Sequence, residues 1–107
     1  MTGQRPFTPQ PSPIEQLLIA AGTFENLPLD APKEDVEIGF DQVRSLFFDV
    51  MMGSLDAHPY KLSWNTMTTH GDAELQALMD MTVGSPEYSD KLTRLKHLVK
   101  TAVDYLP

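Results

Sequence analysis

The sequence of 107 residues is 41% hydrophobic and 21% charged, a composition typical of one folded domain rather than a disordered chain. Its formal net charge of −7 argues against direct nucleic-acid binding, which depends on lysine and arginine side chains that neutralise phosphates. The lack of cysteine in the sequence excludes disulfides, thiolate metal sites and a cysteine nucleophile. No apolar run approaches the roughly 20 residues of a membrane span, and no apolar leader follows Met1, so we expect a cytoplasmic protein without membrane contact.

Prolines dominate the start of the chain, at positions 6, 9, 11 and 13. Because proline favours the polyproline II conformation over a helix, residues 1–12 are predicted to form a flexible, proline-rich tail ahead of a single domain at 13–107. The segment from Pro6 to Pro9 matches the PxxP pattern of proline-rich ligands. So short a pattern is common by chance, and a plain disordered leader is the simpler interpretation.

The first helix is predicted to begin after Ser12, because serine followed by proline and glutamate is a typical helix start. Apolar residues then recur at helical spacing as far as Ala21, and Gly22 follows. The sequence therefore predicts a helix over 13–21. Residues 23–35 contain two prolines and several acids without a sustained period, which predicts a loop.

The segment from Val36 to Phe40 alternates in the manner of a strand, although apolar residues continue beyond it at helical spacing. The boundary between the two patterns is ambiguous. We favour a helix over 41–52, with Asp41 as its N-cap and Gly53 just past its end.

Residues 60–64 also alternate, so they could pair with 36–40 as a short two-stranded ribbon, which would make the fold α+β. The same residues fit one helical face, and we favour a helical or irregular conformation for them. The connection over 53–71 is long enough to cross a helical bundle.

The remaining sequence predicts two more helices. Leucine and methionine at helical spacing predict a helix over 72–83, with Gly84 positioned to close it. Ser85 and Pro86 repeat the helix start, and the apolar side chains that follow project within an arc of roughly 140°, which predicts a helix over 86–105. The fold class predicted is mainly α, a single compact bundle of about four helices.

Metal binding or acid-base catalysis would depend on the histidines His58, His70 and His97. No two of them stand four residues apart, and no HExxH, GxSxG or glycine-rich phosphate-binding motif is present. His70 precedes Asp72 by two residues and could bind a metal or orient a base with it, but a helix N-terminus capped by Thr69 or Asp72 is the simpler interpretation. We therefore expect no catalytic residue, no bound metal and no cofactor.

Acidic residues crowd the segment 25–41, where six acids stand against one lysine and the local net charge is −5. A calcium loop is not indicated, since the DxDxDG pattern is missing. The stretch could attract a basic partner surface or imitate the phosphates of a nucleic acid, although a solvated loop is the simplest interpretation.

Residues 46–52, Leu-Phe-Phe-Asp-Val-Met-Met, spread apolar side chains over roughly 240° of a helix circumference. A small core covers that much surface only if this helix is surrounded by the others. Otherwise Phe48 and Met52 form an exposed patch for another protein. Arg44 lies inside the apolar arc, and we expect its stem to cover the neighbouring rings while its charge reaches water, in preference to pairing with an acid.

The function predicted is non-catalytic protein binding, as a small accessory subunit, adaptor or inhibitor of a larger protein. The apolar patch would anchor the partner and the acidic stretch would attract its basic surface. A homodimer through the same patch is the nearest variant. The alternatives are an acidic inhibitor that mimics nucleic acid against a nucleic-acid-handling protein, and a small metal-binding or enzymatic domain that uses His70 and Asp72. The partner-binding residues predicted are Glu34, Asp35, Glu37, Asp41, Arg44, Phe48, Met51 and Met52.

Overall fold

The computed structural model describes residues 12–106, and these are mainly α-helical, as the sequence predicts. The tail predicted over 1–12 lies outside the described residues except for Ser12. The described part of the chain contains four α-helices and one short 3-10 helix: α1 (Pro13–Glu25), α2 (Lys33–Met52), the 3-10 helix (His58–Tyr60), α3 (Lys61–Met79) and α4 (Pro86–Asp104).

The helices pack as two antiparallel hairpins, α1 with α2 and α3 with α4. In addition, α1 packs on α4 and α2 on α3, which closes a four-helix bundle around one core. The largest fully buried side chains include Phe24, Phe40, Phe47 and Tyr88. The rings of Phe24 in α1 and Phe40 in α2 lie with their centroids 6.1 Å apart, so the first hairpin is held together by aromatic packing.

The first helix is longer than predicted, because it continues through Gly22 to Glu25. Its N-terminus agrees with the prediction, since the Ser12 hydroxyl accepts a hydrogen bond from the Glu15 amide at 3.2 Å. Glycine in a helix costs about 1 kcal/mol relative to alanine. The burial of Phe24 in the next turn outweighs that cost, because burying such a side chain contributes roughly 1.5–3 kcal/mol.

The second helix begins at Lys33, eight residues before the predicted start, so Asp41 lies inside α2 and is not its N-cap. The alternation over 36–40 resembles a strand and so obscures this start. Val36 and Phe40 fit the buried face of a helix equally well. Both are fully buried. The prediction for the other end is confirmed, since Gly53 is the C-cap residue and donates its amide to Asp49 at 2.9 Å.

The third helix begins at Lys61 and ends at Met79, where the sequence predicted a helix over 72–83. Asp72 is therefore in the middle of α3 and caps nothing. The long connection predicted over 53–71 is reduced to residues 53–60, part of which is the 3-10 helix. The ribbon is absent from the described residues, because 36–40 lies in α2 and 61–64 in α3. Gly84 has a positive φ of 85° and turns the chain toward α4 instead of closing α3.

The fourth helix matches its predicted bounds to within one residue. The Ser85 hydroxyl caps it by accepting a hydrogen bond from the Tyr88 amide at 3.2 Å. Tyr88 is fully buried, and its hydroxyl donates to the Ala31 carbonyl oxygen at 2.5 Å, which ties α4 to the loop between α1 and α2. Burial raises the pKa of Tyr88 above its usual value of 10.0, and the charge of Asp35 raises it further.

Replacing Tyr88 with phenylalanine is expected to lower the free energy of unfolding by about 1–3 kcal/mol at neutral pH, because the buried Ala31 carbonyl loses its donor. The loss should shrink above pH 10. In that range the unfolded tyrosine ionises while the folded one stays protonated, so wild-type stability falls as pH rises toward the raised pKa of Tyr88. Urea unfolding of both proteins at about pH 7 and between about pH 9 and 11 measures the effect. A stability difference that stays constant over the alkaline range would contradict it.

Candidate functional site

Helix α2 carries the predicted partner-binding residues, and six of the eight share one face. Their spacings of three or four residues place them within an arc of about 80° at 100° per residue. The face runs for about 27 Å along the helix, with carboxylates at its N-terminal end and apolar side chains at its C-terminal end. It consists of Glu34, Glu37, Asp41, Arg44, Phe48 and Met52.

The other two predicted residues lie elsewhere on α2. Asp35 is exposed but projects from a different side of the helix. Met51 is only 7% exposed and lies on the buried face beside Phe47 and Val50. Met51 therefore supports the core and is not presented to a partner.

At the apolar end of the face, Phe48 is 44% exposed and Met52 is 63% exposed. Phe48 contacts Trp64 of α3, with ring centroids 5.4 Å apart and an interplanar angle of 52°. Trp64 also stacks against the buried Phe47 at 6.0 Å, and Tyr60 meets Phe47 edge-on at 6.5 Å. The exposed aromatic surface is thus backed by the core, which holds it in a fixed orientation.

Arg44 lies at the middle of the face and joins the two hairpins. Its guanidinium forms ion pairs with Asp41 of the same helix and with Asp72 of α3, the latter at 2.5 Å. It also lies over the Phe40 ring, 5.6 Å from the ring centroid. The prediction that the Arg44 charge reaches water in preference to an acid is wrong, because two carboxylates of this chain pair with it.

A groove of about 470 Å³ opens between α2 and α3 beside these residues. We call it the α2–α3 groove. Its surface combines the exposed ring of Phe48 and the partly buried ring of Trp64 with the carboxylates of Asp49 and Asp72, so it offers apolar area and negative charge side by side. It is lined by Arg44, Ser45, Phe48, Asp49, Trp64, Thr68 and Asp72.

The acidic end of α2 keeps its negative charge. Glu34, Asp35 and Glu37 are exposed and make no ion pair within residues 12–106. The lysine of this segment, Lys33, donates instead to the Met79 carbonyl oxygen at 2.7 Å, at the C-terminal end of α3. Glu34 and Asp35 lie in the first turn of α2, where their charges interact favourably with the positive end of the helix dipole. Part of their role is therefore to stabilise the helix.

The three histidines are exposed and lie on different elements: His58 in the 3-10 helix, His70 in α3 and His97 in α4. Among the described residues, no group of three histidine or acidic side chains could hold a metal ion. Asp72, which the sequence paired with His70, binds Arg44 instead. The structure therefore does not bring the candidate residues of a metal site or an enzyme together.

Sequence reasoning missed the α3 side of the groove. Trp64, Thr68 and Asp72 stand at intervals of four residues along α3 and so share a face. The sequence predicts a connection over 53–71, so it does not place Trp64 and Thr68 on one helix with Asp72. Even with the helix in place, the pairing of Trp64 with Phe48 depends on which helices are neighbours, which spacing alone does not reveal.

No protein-family model, curated protein or solved structure matches the chain. Within residues 12–106, none of the helices has the length and apolar character needed to cross a membrane.

Proposed function

We propose that this protein is a non-catalytic protein-binding domain, an accessory subunit, adaptor or inhibitor that engages a larger protein through the α2 face. The observation that carries the proposal is the pair of exposed apolar side chains, Phe48 and Met52, on the same helix face as a row of carboxylates. Aromatic residues and methionine are enriched at protein interfaces, whereas acids are depleted from interface centres and are found at their rims. The α2 face has this arrangement.

The two halves of the face serve different steps of binding. Covering the exposed parts of Phe48 and Met52 contributes about 1 kcal/mol each, because complete burial of such side chains is worth roughly 1.5–3 kcal/mol and about half of each is already covered. The exposed acids Glu34 and Glu37 attract a basic partner surface and raise the association rate, an effect that salt screens. Phe48 and Met52 therefore set the affinity for the partner, and Glu34 and Glu37 set the association rate.

Affinity capture from native lysate with the tagged protein tests the proposal. The test variant combines Phe48→Ser and Met52→Ser. The control combines Leu29→Ser and Ile19→Ser, whose side chains are 43% and 63% exposed and therefore match the test pair in exposure. We expect wild type and control to capture the same partner, identified by mass spectrometry, and the test variant to capture at least about tenfold less, since ~1.4 kcal/mol corresponds to tenfold.

Equal capture by the test variant and the control, or no specific partner at all, would overturn the proposal. Light scattering on the purified protein separates a second copy of the chain from a different partner. If the apolar patch of Phe48 and Met52 joins two copies, the wild type is a dimer and the test variant a monomer.

The exposure of Glu34, Asp35 and Glu37 favours a second candidate function, an acidic inhibitor that occupies the phosphate-binding cleft of a nucleic-acid-handling protein. This function requires binding that weakens steeply with salt and is lost when the three acids are replaced by lysine. Capture that survives high salt and depends on Phe48 would exclude it. The same lysate experiment at low and high salt therefore distinguishes the two functions.

A further inference from the structure

Helix α2 contains the dipeptide Phe-Asp twice, as Phe40–Asp41 and as Phe48–Asp49, eight residues and about 12 Å apart along the helix. The first pair holds a cation. Arg44, four residues after Phe40, places its guanidinium over the Phe40 ring and pairs with Asp41 and with Asp72 across the groove. One arginine is thus held by an aromatic ring and two carboxylates.

The second pair also provides a ring and a carboxylate, but no arginine follows the ring by four residues. Met52 stands four residues after Phe48, where Arg44 stands in the first pair, and it carries no charge. Asp49 is exposed and has no ion-pair partner within residues 12–106. Phe48 is partly exposed, and Trp64 adds a second ring beside it. Tryptophan is the aromatic side chain that attracts cations most strongly.

We infer that the α2–α3 groove binds an arginine side chain of the partner, with its guanidinium against Phe48 and Trp64 and paired with Asp49. The inference rests on the proposed function and adds the chemistry of the partner segment. Charge complementarity supports it, because the carboxylates of Asp49 and Asp72 line the groove and Arg44, which also lines it, pairs with Asp72 and not with Asp49. Arginine fits better than lysine, since its planar guanidinium both stacks on rings and donates to a carboxylate in parallel pairs of hydrogen bonds.

The shape of the groove indicates a helical partner segment. Its walls are two antiparallel helices, and the residues that line it on α3 run from Trp64 to Asp72, about 12 Å, which matches roughly two turns of a docked helix. Met52, one turn after Phe48 on the same face of α2, is exposed and offers apolar contact to the next turn of that helix. The partner segment is therefore an amphipathic helix with an arginine beside its apolar stripe.

A synthetic peptide tests the inference without knowledge of the partner. The probe is an alanine-rich helix of about four turns with leucines at helical spacing and one arginine beside them, and its control carries citrulline, the uncharged isostere, at the same position. Trp64 is the single tryptophan of the chain, so its fluorescence reports occupation of the groove directly. We expect the citrulline peptide to bind about five- to tenfold more weakly, from the loss of a cation–π contact and an ion pair.

Variants of the protein identify the position of the arginine. Asp49→Asn removes the ion pair but not the rings, so it should weaken binding of the arginine peptide by about two- to fivefold and leave binding of the citrulline peptide unchanged. Asp90→Asn on the exposed part of α4 should affect neither. Met52→Arg should place an arginine of this chain beside Phe48, as Arg44 lies beside Phe40. We expect it to weaken binding of the arginine peptide about tenfold, more than Met52→Gln does. Equal affinity for the two peptides, no detectable binding, or an affinity for the arginine peptide that Asp49→Asn leaves unchanged would overturn the inference.

The two proposals fail in different ways. If capture from lysate depends on Phe48 and Met52 but the peptide shows no arginine preference, the protein-binding function stands and the arginine site does not. If the peptide prefers arginine through Asp49 but no partner is captured, the site stands and the function does not.

Discussion

Replacing Phe47 with alanine is expected to lower the free energy of unfolding by about 3–5 kcal/mol, enough to unfold a large fraction of a marginally stable domain. Phe47 is fully buried and packs against Trp64 at 6.0 Å and Tyr60 at 6.5 Å. Its loss leaves a cavity between α2 and α3 that the surrounding rings cannot fill. Urea unfolding followed by circular dichroism at neutral pH measures the change.

The adjacent Phe48→Ala variant is the matched control, because it removes the same side chain from the next position. Phe48 is 44% exposed and one of its contacts is Trp64, so we expect a loss of about 1 kcal/mol. Equal losses in the two variants would contradict the rotation of α2 about its axis, on which the α2 face depends.

The Gly71→Ala variant should be destabilised by about 1–3 kcal/mol, although alanine is the better helix former. A Cβ atom at Gly71 would lie 2.6 Å from Cζ of Phe40 and 3.6 Å from Cδ2 of Leu98. Phe40 is fully buried, so its ring cannot move aside without disturbing the core. The absence of a side chain at Gly71 therefore lets α3 pack directly against the Phe40 ring of α2.

Gly22→Ala provides the control of opposite sign. Gly22 lies inside α1, and a Cβ atom there would meet nothing within 4 Å. We expect this variant to be more stable by up to about 1 kcal/mol, because alanine restricts the unfolded chain and favours the helix. Thermal unfolding of the three proteins measures the effect. We expect the highest melting temperature for Gly22→Ala, an intermediate one for the wild type and the lowest for Gly71→Ala. A rise in melting temperature for Gly71→Ala would show that α3 does not approach Phe40 as described.

The sequence predicts the bounds of a helix best where local signals and burial agree. In α4, Ser85 before Pro86 gives the start, and regularly spaced apolar residues that are buried give the extent. In α3 the two disagree. Residues 61–71 contain three threonines and a glycine, which are weak helix formers, so the local pattern predicts a connection. The burial of Met67 and Gly71 against other helices stabilises this part of α3, and such tertiary packing is not visible from spacing.

The candidate site was predictable to a similar extent. The face of α2 follows from helical spacing once the helix is placed, and Phe48 and Met52 were expected to be exposed if the other helices did not surround it. Met51 could not be separated from them, because it is adjacent in sequence and equally apolar, and its burial depends on the direction of the core. The partnership of Arg44 with Asp72 joins residues 28 positions apart and required the antiparallel packing of α2 and α3.

Trp64 belongs to the core and to the outer surface at once, since it contacts both the buried Phe47 and the exposed Phe48. A molecule that covers Phe48 binds only the folded chain, so by mass action it shifts the equilibrium toward that state by RT ln(1 + [L]/Kd). The reverse holds with equal force: a substitution that loosens the interior around Phe47 also weakens recognition at the surface. The domain therefore tolerates destabilising substitutions in its core best while a partner is bound over Phe48.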